Sequence, residues 1–355
     1  MKKAIKFALL FLLVLVIFVG VGAWNLFGPL VKGAQSVEKL DEGLYYMEYK
    51  GDDGFAEMMN RGGIKDSKDL STYVMEFLSK GYYTPPTVNP PETPFGCSTL
   101  TARTPEGGMM MGRNFDFSSG TAMILHTIPE HGYESITTFN VDFYGFGENW
   151  LPEGFSNQYM ALTGLFVGLD GLNEKGFAIA VLMAGDDVET HQATDKPDLT
   201  NSAAVRYLLN NAANVDEALD LLRGIDMHSD LGAAQHYAMA DASGKSVVVE
   251  YVDNQMVVTE TPAVTNHYLC EAKHNVGLHE YDHRFDQLCE QYDQTNGVMT
   301  QQDLTKAIQS VAQSTNGEFW GTLWTMVMDL KNPSVTYYSR RHFDKPFRFE
   351  LTRKP

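Results

Sequence analysis

After residue 96 the sequence is dominated by short segments that predict strands, separated by segments that predict tight turns. This pattern restricts the folds that the chain can adopt. Alternating or apolar runs typical of strands cover the following ranges: 98–103, 108–114, 163–169, 176–184, 236–242, 246–252, 255–260, 321–330, 335–340 and 347–351. Helical periodicity falls between these groups, at 201–211, 216–223, 281–292 and 301–312. The order of elements predicts a layered α+β fold, in which two antiparallel sheets are covered by helices, rather than a series of βαβ units.

The residues before this region predict a separate lead segment, 25–96. Residues 25–40 are interpreted as a stalk, 44–49 as a strand, and 67–80 as an amphipathic helix because apolar residues recur there at helical spacing. Prolines are frequent over 81–94, where they disfavour helix and central strand. We therefore expect an exposed, extended connection that ends at Gly96.

The N-terminus predicts export from the cytoplasm. Lysines at positions 2, 3 and 6 precede an uncharged apolar run over 7–24. As a helix, this run would extend roughly 27 Å, just enough to span a bilayer. Residues 1–24 are consistent either with a cleaved signal peptide, since 21–23 offers a small-residue site, or with an uncleaved membrane anchor. In both cases the rest of the chain is extracytoplasmic, and it is either secreted or membrane-anchored.

Composition limits the classes of partner. The 355-residue chain is 44% hydrophobic and 20% charged, which is normal for a globular protein with a sizeable core. Its formal net charge of −18 disfavours binding to nucleic acid and a broad electrostatic contact with anionic lipid.

Cys97 is the main candidate for a reactive group. It follows Gly96 directly, and Arg113 and Asp116 come soon after it in the segment Gly-Arg-Asn-Phe-Asp-Phe over 112–117. The other two cysteines, Cys270 and Cys289, are consistent with a disulfide or with two isolated apolar residues, and the sequence leaves both open.

The sequence around Cys97 suggests how an amide bond could be broken. A thiol needs a base, and none of the ten histidines lies in a recognisable protease context. If the Gly96–Cys97 bond is cleaved, Cys97 gains an α-amino group with a reference pKa of about 7.7–8.0. That amine could accept the thiol proton, so one residue would supply both nucleophile and base.

From Cys97 onward the chain resembles the choloylglycine hydrolase family of N-terminal nucleophile amidases, which includes bile salt hydrolases and penicillin V acylases. The resemblance covers about 97–351 and rests on five segments in order: Cys97 with 112–117, 173–180, 263–266, 284–285, and 322–325 with 336–338. It implies a four-layer αββα sandwich over 97–355. The long lead resembles that of acid ceramidase and N-acylethanolamine acid amidase, where such a segment stays bound after self-cleavage.

The resemblance implies roles for the residues near Cys97. Cys97 is expected to be the nucleophile, and Gly96–Cys97 the bond that is cleaved autocatalytically. Arg113 is expected to lie beside the thiol and lower its pKa. Asp116 is expected to accept hydrogen bonds from the new α-amino group.

The same resemblance assigns the oxyanion site. Asn266 is expected to donate its side-chain amide to the oxyanion, and a backbone N–H near Met183 is expected to be the second donor. Arg284 is expected to hold the site together. Family members often carry Asn or Tyr where this chain has Met183, and the change leaves a backbone donor while making the wall more apolar.

The expected activity is hydrolysis of a linear N-acyl amide through an acyl-thioester, with no cofactor and no metal ion. The partner is a small-molecule substrate, and the apolar residues around the site suggest a lipophilic acyl chain. Two alternatives stay open: an acyltransferase that passes the same thioester to an amine, and a surface protein with an inactive site. The leaving amine and the oligomeric state are not predicted.

Overall fold

The computed structural model describes residues 20–81, 96–144, 150–185, 188–274, 276–277, 283–314 and 321–352. Most of the predicted targeting segment (1–19) and most of the proline-rich connection (82–94) lie outside these residues. None of the helices in the described ranges combines the length and the apolar character needed to cross a bilayer. The signal peptide or anchor therefore stays a prediction.

The larger of two main sheets has nine strands in the order β1-β2-β5-β6-β7-β8-β11-β12-β13. Its strands are β1 (Glu38–Asp41), β2 (Leu44–Gly51), β5 (Ala122–Pro129), β6 (Ser135–Asn140), β7 (Asp170–Asn173), β8 (Ala178–Met183), β11 (Gln235–Ala240), β12 (Ser246–Val252) and β13 (Gln255–Glu260). All neighbours are antiparallel except β2 and β5.

The second main sheet has six antiparallel strands in the order β14-β3-β4-β15-β16-β17. Its strands are β3 (Gly96–Arg103), β4 (Met109–Phe117), β14 (Ala263–Val264), β15 (Gly321–Asp329), β16 (Ser334–Ser339) and β17 (Phe347–Glu350). A small parallel pair, β9 (Asp198–Thr200) and β10 (Asp226–His228), lies apart from both sheets.

The described residues also form α-helices. They are α1 (described over 20–35), α2 (Phe55–Asn60), α3 (Ser67–Ser79), α4 (Phe155–Met160), α5 (Asn201–Asn211), α6 (Val215–Arg223), α7 (Arg284–Gln294) and α8 (Gln301–Ser310). α5 packs on β6, β7 and β8, whereas α7 and α8 pack on the smaller sheet. The predicted αββα sandwich is confirmed.

The inner faces of the two sheets meet in a core that carries a few polar contacts. β4 and β15 are buried along almost their whole length, as expected for strands covered on both faces. Thr138 of the larger sheet and Tyr337 of the smaller one share a hydrogen bond of 2.7 Å between their hydroxyl oxygens. Such buried pairs satisfy polar groups that would otherwise be costly in the core.

The lead segment is part of the sandwich, so the stalk prediction for 25–40 is wrong. Residues 20–35 are helical, and Leu30 and Ala34 are buried in the core. β2 pairs with β5 in parallel along its whole length, from Leu44 beside Ala122 to Gly51 beside Pro129. The sequence did not indicate this burial, because the lead segment packs against elements distant in the chain: β2 pairs with a strand 78 positions further along.

The strand predicted over 163–169 is also wrong. Residues Ala161–Leu165 form a 3₁₀ helix, and the strand begins only at Asp170. The 3₁₀ helix is fully buried, and a short buried apolar run has no periodicity that would separate helix from strand. Gly164 fits here because a Cβ would lie 2.1 Å from the ring of Phe139.

Candidate active site

Cys97 lies in β3, between the two sheets. It pairs with Phe115 of β4, and its side chain is completely buried. Gly96 is the first residue of the same strand and pairs with Asp116. The thiol therefore lies inside the sandwich, where both sheets can supply groups to it.

Arg113 contacts the thiol, as expected. Its Nη1 lies 3.2 Å from Cys97 Sγ, and its Nη2 donates to the backbone oxygen of Val181 at 3.2 Å. The guanidinium also donates to the backbone oxygen of Asn114. Contacts to both sheets fix the cation beside the sulfur.

Asp170 is the buried counter-charge of Arg113, a role that was not predicted from the sequence. Its Oδ2 lies 2.6 Å from Arg113 Nε and accepts a hydrogen bond of 2.9 Å from Trp324 Nε1. Phe115 stacks on Trp324 with ring centroids 4.0 Å apart, beside the same guanidinium. The available signal was a lone acidic residue inside the apolar run 169–172, since a carboxylate in such a run needs a buried partner.

In the intact chain, burial raises the pKa of the Cys97 thiol to about 11. Arg113 lowers this pKa, as the sequence analysis expected, but desolvation of the thiolate is the larger effect. The expected effect of Arg113 is therefore present in the uncleaved chain, but the net shift of the thiol pKa is upward. The reason is that the Cys97 side chain is fully buried.

Asn266 follows β14 and contacts Cys97 through the backbone. Its Oδ1 accepts the backbone N–H of Cys97 at 2.7 Å and also accepts from Arg284 Nη2 at 2.9 Å. Its Nδ2 donates to the backbone oxygen of Met183 at 2.9 Å. Because two donors converge on one atom, the orientation of the amide is well defined.

Asp116 connects Arg284 to the same site. Its Oδ2 lies 2.6 Å from Arg284 Nη1, and its Oδ1 accepts a hydrogen bond of 2.6 Å from the hydroxyl of Thr322. Asp116 is fully buried. Thr322 had no assigned role in the sequence analysis, although it begins one of the segments that carry the family resemblance.

Met183 presents its backbone towards this site. In the ladder with β11 it faces Gln235, and the next pair, Ala184 with Ala234, is hydrogen-bonded. Because bonded and non-bonded pairs alternate in antiparallel ladders, the peptide groups of Met183 point away from β11. Its backbone N–H therefore lies on the edge of β8 that faces Arg113 and Asn266.

The structure thus brings together all the predicted site residues. Cys97, Arg113, Asp116, Asn266 and Arg284 form one connected set of contacts, with the backbone of Met183 at its edge. All three cysteines are free thiols, so the alternative of a Cys270–Cys289 disulfide is not realised. The described residues contain no group of three or more His, Cys, Asp and Glu side chains arranged for a metal ion.

Comparison with known proteins gives a matching family and a matching fold. A family model described as acyl-coenzyme A:6-aminopenicillanic acid acyl-transferase matches residues 103–342, more than half of the chain. Penicillin V acylase of Pectobacterium atrosepticum is 34% identical over 100 residues, which are 25% of this chain and 26% of that protein. The chain therefore aligns with about a quarter of the length of this curated relative.

Solved structures show the same fold at low identity. Penicillin V acylase from Agrobacterium tumefaciens aligns with a TM-score of 0.53 and 18% identity, over 72% of this chain and 86% of that one. A conjugated bile acid hydrolase from Clostridium perfringens aligns with a TM-score of 0.51 and 14% identity, over 73% and 93%. Together the comparisons confirm the family resemblance and the fold expected from the sequence.

Proposed function

Since this chain belongs to the family of acyl-coenzyme A:6-aminopenicillanic acid acyl-transferase, we propose that it is an N-terminal cysteine amidase that hydrolyses a linear N-acyl amide. The observation that carries the proposal is the surroundings of Cys97. Its Sγ lies 3.2 Å from Arg113 Nη1, and its backbone N–H lies 2.7 Å from Asn266 Oδ1. The groups needed for self-cleavage and for turnover thus meet at one residue.

The proposed activation cleaves the Gly96–Cys97 bond. The Cys97 sulfur attacks the Gly96 carbonyl, the C–N bond breaks as nitrogen takes up the thiol proton, and a thioester forms. Water then hydrolyses the thioester, which leaves a Gly96 carboxylate, a free thiol and a free α-amine. Asn266 Oδ1, which accepts the Cys97 N–H before cleavage, can keep the new amine in place afterwards.

The proposed turnover uses that amine as base and then as acid. It takes the thiol proton while sulfur attacks the substrate carbonyl, and it protonates the departing amine as the acyl-thioester forms. Asn266 uses one Nδ2 hydrogen on the Met183 carbonyl, so its second N–H and the Met183 backbone N–H are the proposed oxyanion donors. Arg284 and Thr322 hold Asp116 in position.

The proposed substrate carries a lipophilic acyl group. Phe115, Phe117 and Phe143 form an aromatic cluster on and next to the strand of Arg113 and Asp116, with Phe117 and Phe143 edge to face at 4.9 Å. The Met183 side chain is apolar at a position where the family resemblance implies Asn or Tyr in many members. Hydrolysis rates for N-acyl amides of graded chain length test this point, and preference for short or phenoxyacetyl groups contradicts it.

The amino terminus of the purified protein tests the central proposal. Wild-type protein should contain a chain that begins Cys-Ser-Thr-Leu, and Cys97→Ala should stay uncleaved and inactive by intact mass and amide hydrolysis. Cys289→Ala is the matched control, because this half-buried thiol lies on α7, and it should retain both properties. An active enzyme that keeps the Gly96–Cys97 bond would falsify the mechanism.

Acyl transfer is the second candidate, because the matching family model is named after an acyl-transferase. The same thioester would pass its acyl group to an amine instead of to water. Product analysis with added amine nucleophile separates the two activities: N-acyl product that increases with amine concentration indicates transfer, and free acid alone indicates hydrolysis.

We also propose that the protein acts outside the cytoplasm, tethered or released according to the fate of residues 1–24. The apolar run in these residues supports this location. Fractionation with alkaline carbonate extraction tests it: a tethered chain stays with the membrane, and a secreted one is recovered without residues 1–24.

A further inference from the structure

Two histidines, His191 and His228, face each other at a site that is distant from Cys97 in the sequence. His191 and His228 form an isolated antiparallel bridge, so their side chains lie directly opposite each other. Their Nδ1 atoms are 3.4 Å apart. The His191 side chain is about half exposed, at 53%, whereas that of His228 is 10% exposed. Solvent therefore reaches the gap between the rings from one side.

Both rings are held by carboxylates through their other nitrogen. His191 Nε2 lies 3.1 Å from Glu189 Oε2, and His228 Nε2 lies 2.8 Å from Asp198 Oδ1. An ionised carboxylate only accepts hydrogen bonds, so each Nε2 carries the proton. Both Nδ1 atoms then present bare lone pairs to each other, which is unfavourable unless a cation lies between them.

The distance between the two Nδ1 atoms fits a metal ion. Imidazole nitrogens lie about 2.0–2.1 Å from zinc, and a tetrahedral angle between two of them separates the nitrogens by about 3.3–3.4 Å. A carboxylate on the far nitrogen is the usual support of a metal-binding histidine. We propose that His191 and His228 chelate one divalent transition-metal ion through Nδ1, with water completing its coordination.

The alternative cation is a proton shared between the two rings. Hydrogen bonds with a nitrogen donor have typical lengths of 2.7–3.2 Å, and the observed 3.4 Å is longer. The two-histidine donor set selects Cu²⁺, Ni²⁺ and Zn²⁺ over Mg²⁺ and Ca²⁺, which prefer oxygen ligands. The proposed site is separate from the amidase residues, and the thiol does not take part in it.

The site adjoins the contact between the lead segment and the rest of the chain. The Ile64 N–H donates to the Asp198 backbone oxygen at 2.7 Å, and the Asp198 N–H donates to the Gly62 oxygen at 2.9 Å. Asp198 is the residue that supports His228. A bound metal therefore rigidifies the strand to which the lead segment is attached.

Calorimetric titration of the full chain with Zn²⁺ alone tests the proposal. We expect one equivalent to bind, at least tenfold weaker binding in His191→Gln and in His228→Gln, and unchanged binding in His342→Gln, an exposed histidine elsewhere. Asp198→Asn should weaken binding about tenfold through loss of support. Cu²⁺ should compete for the site, and excess Mg²⁺ should not.

Thermal unfolding gives an independent readout. Zn²⁺ should raise the melting temperature of the wild type and of Cys97→Ala, but not of the two histidine variants. Absence of Zn²⁺ uptake, or uptake that survives both substitutions, overturns the proposal. A nitrogen-bound proton shared by the two rings in NMR spectra taken with excess Zn²⁺ also overturns it.

Discussion

At the residue scale, the Arg113 guanidinium beside the thiol depends on a partner from the opposite sheet. Arg113 and Asp170 are both fully buried, and the guanidinium also lies over Trp324. Burial raises the pKa of Asp170, and the neighbouring guanidinium offsets only part of this rise. The Cys97 thiol therefore contacts a guanidinium whose charge is balanced by the Asp170 carboxylate. This balance makes a buried arginine compatible with the core.

Asp170→Asn should destabilise the protein by about 3–5 kcal/mol, because it leaves the Arg113 charge buried without its partner. Urea unfolding of the Cys97→Ala background measures this without interference from cleavage. Asp220→Asn is the matched control, since Asp220 pairs with Arg223 at the surface, and it should leave the unfolding midpoint unchanged. Equal effects of the two substitutions would contradict the assignment.

The pH dependence of thiol labelling follows from the burial of Cys97. In uncleaved chains the folded-state pKa is about 11, above the ordinary value of 9.0, so the folded thiol stays neutral where an unfolded one ionises. The contribution of the neutral Cys97 thiol to the free energy of unfolding is therefore fully present below pH 9, and it is lost as the pH rises through 11. We therefore expect alkylation of the folded, uncleaved chain to remain slow up to about pH 10.

We expect Asn266→Ala to supply uncleaved chain for this measurement, because it removes the acceptor of the Cys97 N–H without changing a charge. Peptide mass spectrometry should report the labelled fraction at Cys97 as a function of pH. Subtraction of the Cys97→Ala trace removes Cys270 and Cys289. A labelling midpoint near pH 8 in the folded chain would show that the thiolate is not desolvated.

At the element scale, β4 carries Arg113 and Asp116 under helix α8, and Gly112 determines how closely they pack. A Cβ at Gly112 would lie 2.5 Å from Ile308 Cγ1. Asn114, on the same strand, donates to the backbone oxygen of Ile308 at 2.8 Å, so the helix cannot move away freely. The glycine of the segment 112–117 thus has a packing reason, not a conformational one.

Gly112→Ala should cost about 1–3 kcal/mol through overpacking and should slow self-cleavage, because it displaces Arg113 next to it. Ile308→Ala removes the clashing atoms, so the double variant should recover part of the loss relative to the sum of the two single variants. Unfolding free energies of the four proteins in the cycle measure the coupling. Strict additivity would contradict direct contact.

At the scale of the whole molecule, a buried network of hydrogen-bonded polar side chains joins the lead segment to the rest of the sandwich. Arg206 is fully buried and donates to hydroxyls of the larger sheet and, through Nη2, to Asn210 Oδ1 at 3.1 Å. Asn210 Nδ2 donates to Asp53 Oδ2 at 2.7 Å. Burial lowers the pKa of Arg206 to about 10, and Asp53 opposes this shift.

The lead segment should therefore stay bound after cleavage. Native size-exclusion chromatography should recover both chains together. Asp53→Asn should reduce the free energy of dissociation of the two chains by about 2 kcal/mol, so they should separate at a lower urea concentration. Asp52→Asn is the matched control, because Asp52 is exposed and an asparagine there can still accept the Gly54 N–H. It should leave this concentration unchanged. Spontaneous release of the lead chain from wild-type protein would contradict the observed pairing of β2 with β5.

The sequence by itself determined the α+β class and most strands and helices, and it predicted Cys97 as the nucleophile, since local periodicity and short motifs carry that information. Only the tertiary structure decided that Asp170 faces Arg113, that residues 25–40 belong to the sandwich, and that desolvation dominates the pKa of Cys97. Periodicity reports which face of a segment is buried, but it does not report which distant segment covers that face. Counter-charges, desolvation and parallel pairing are set by that covering segment.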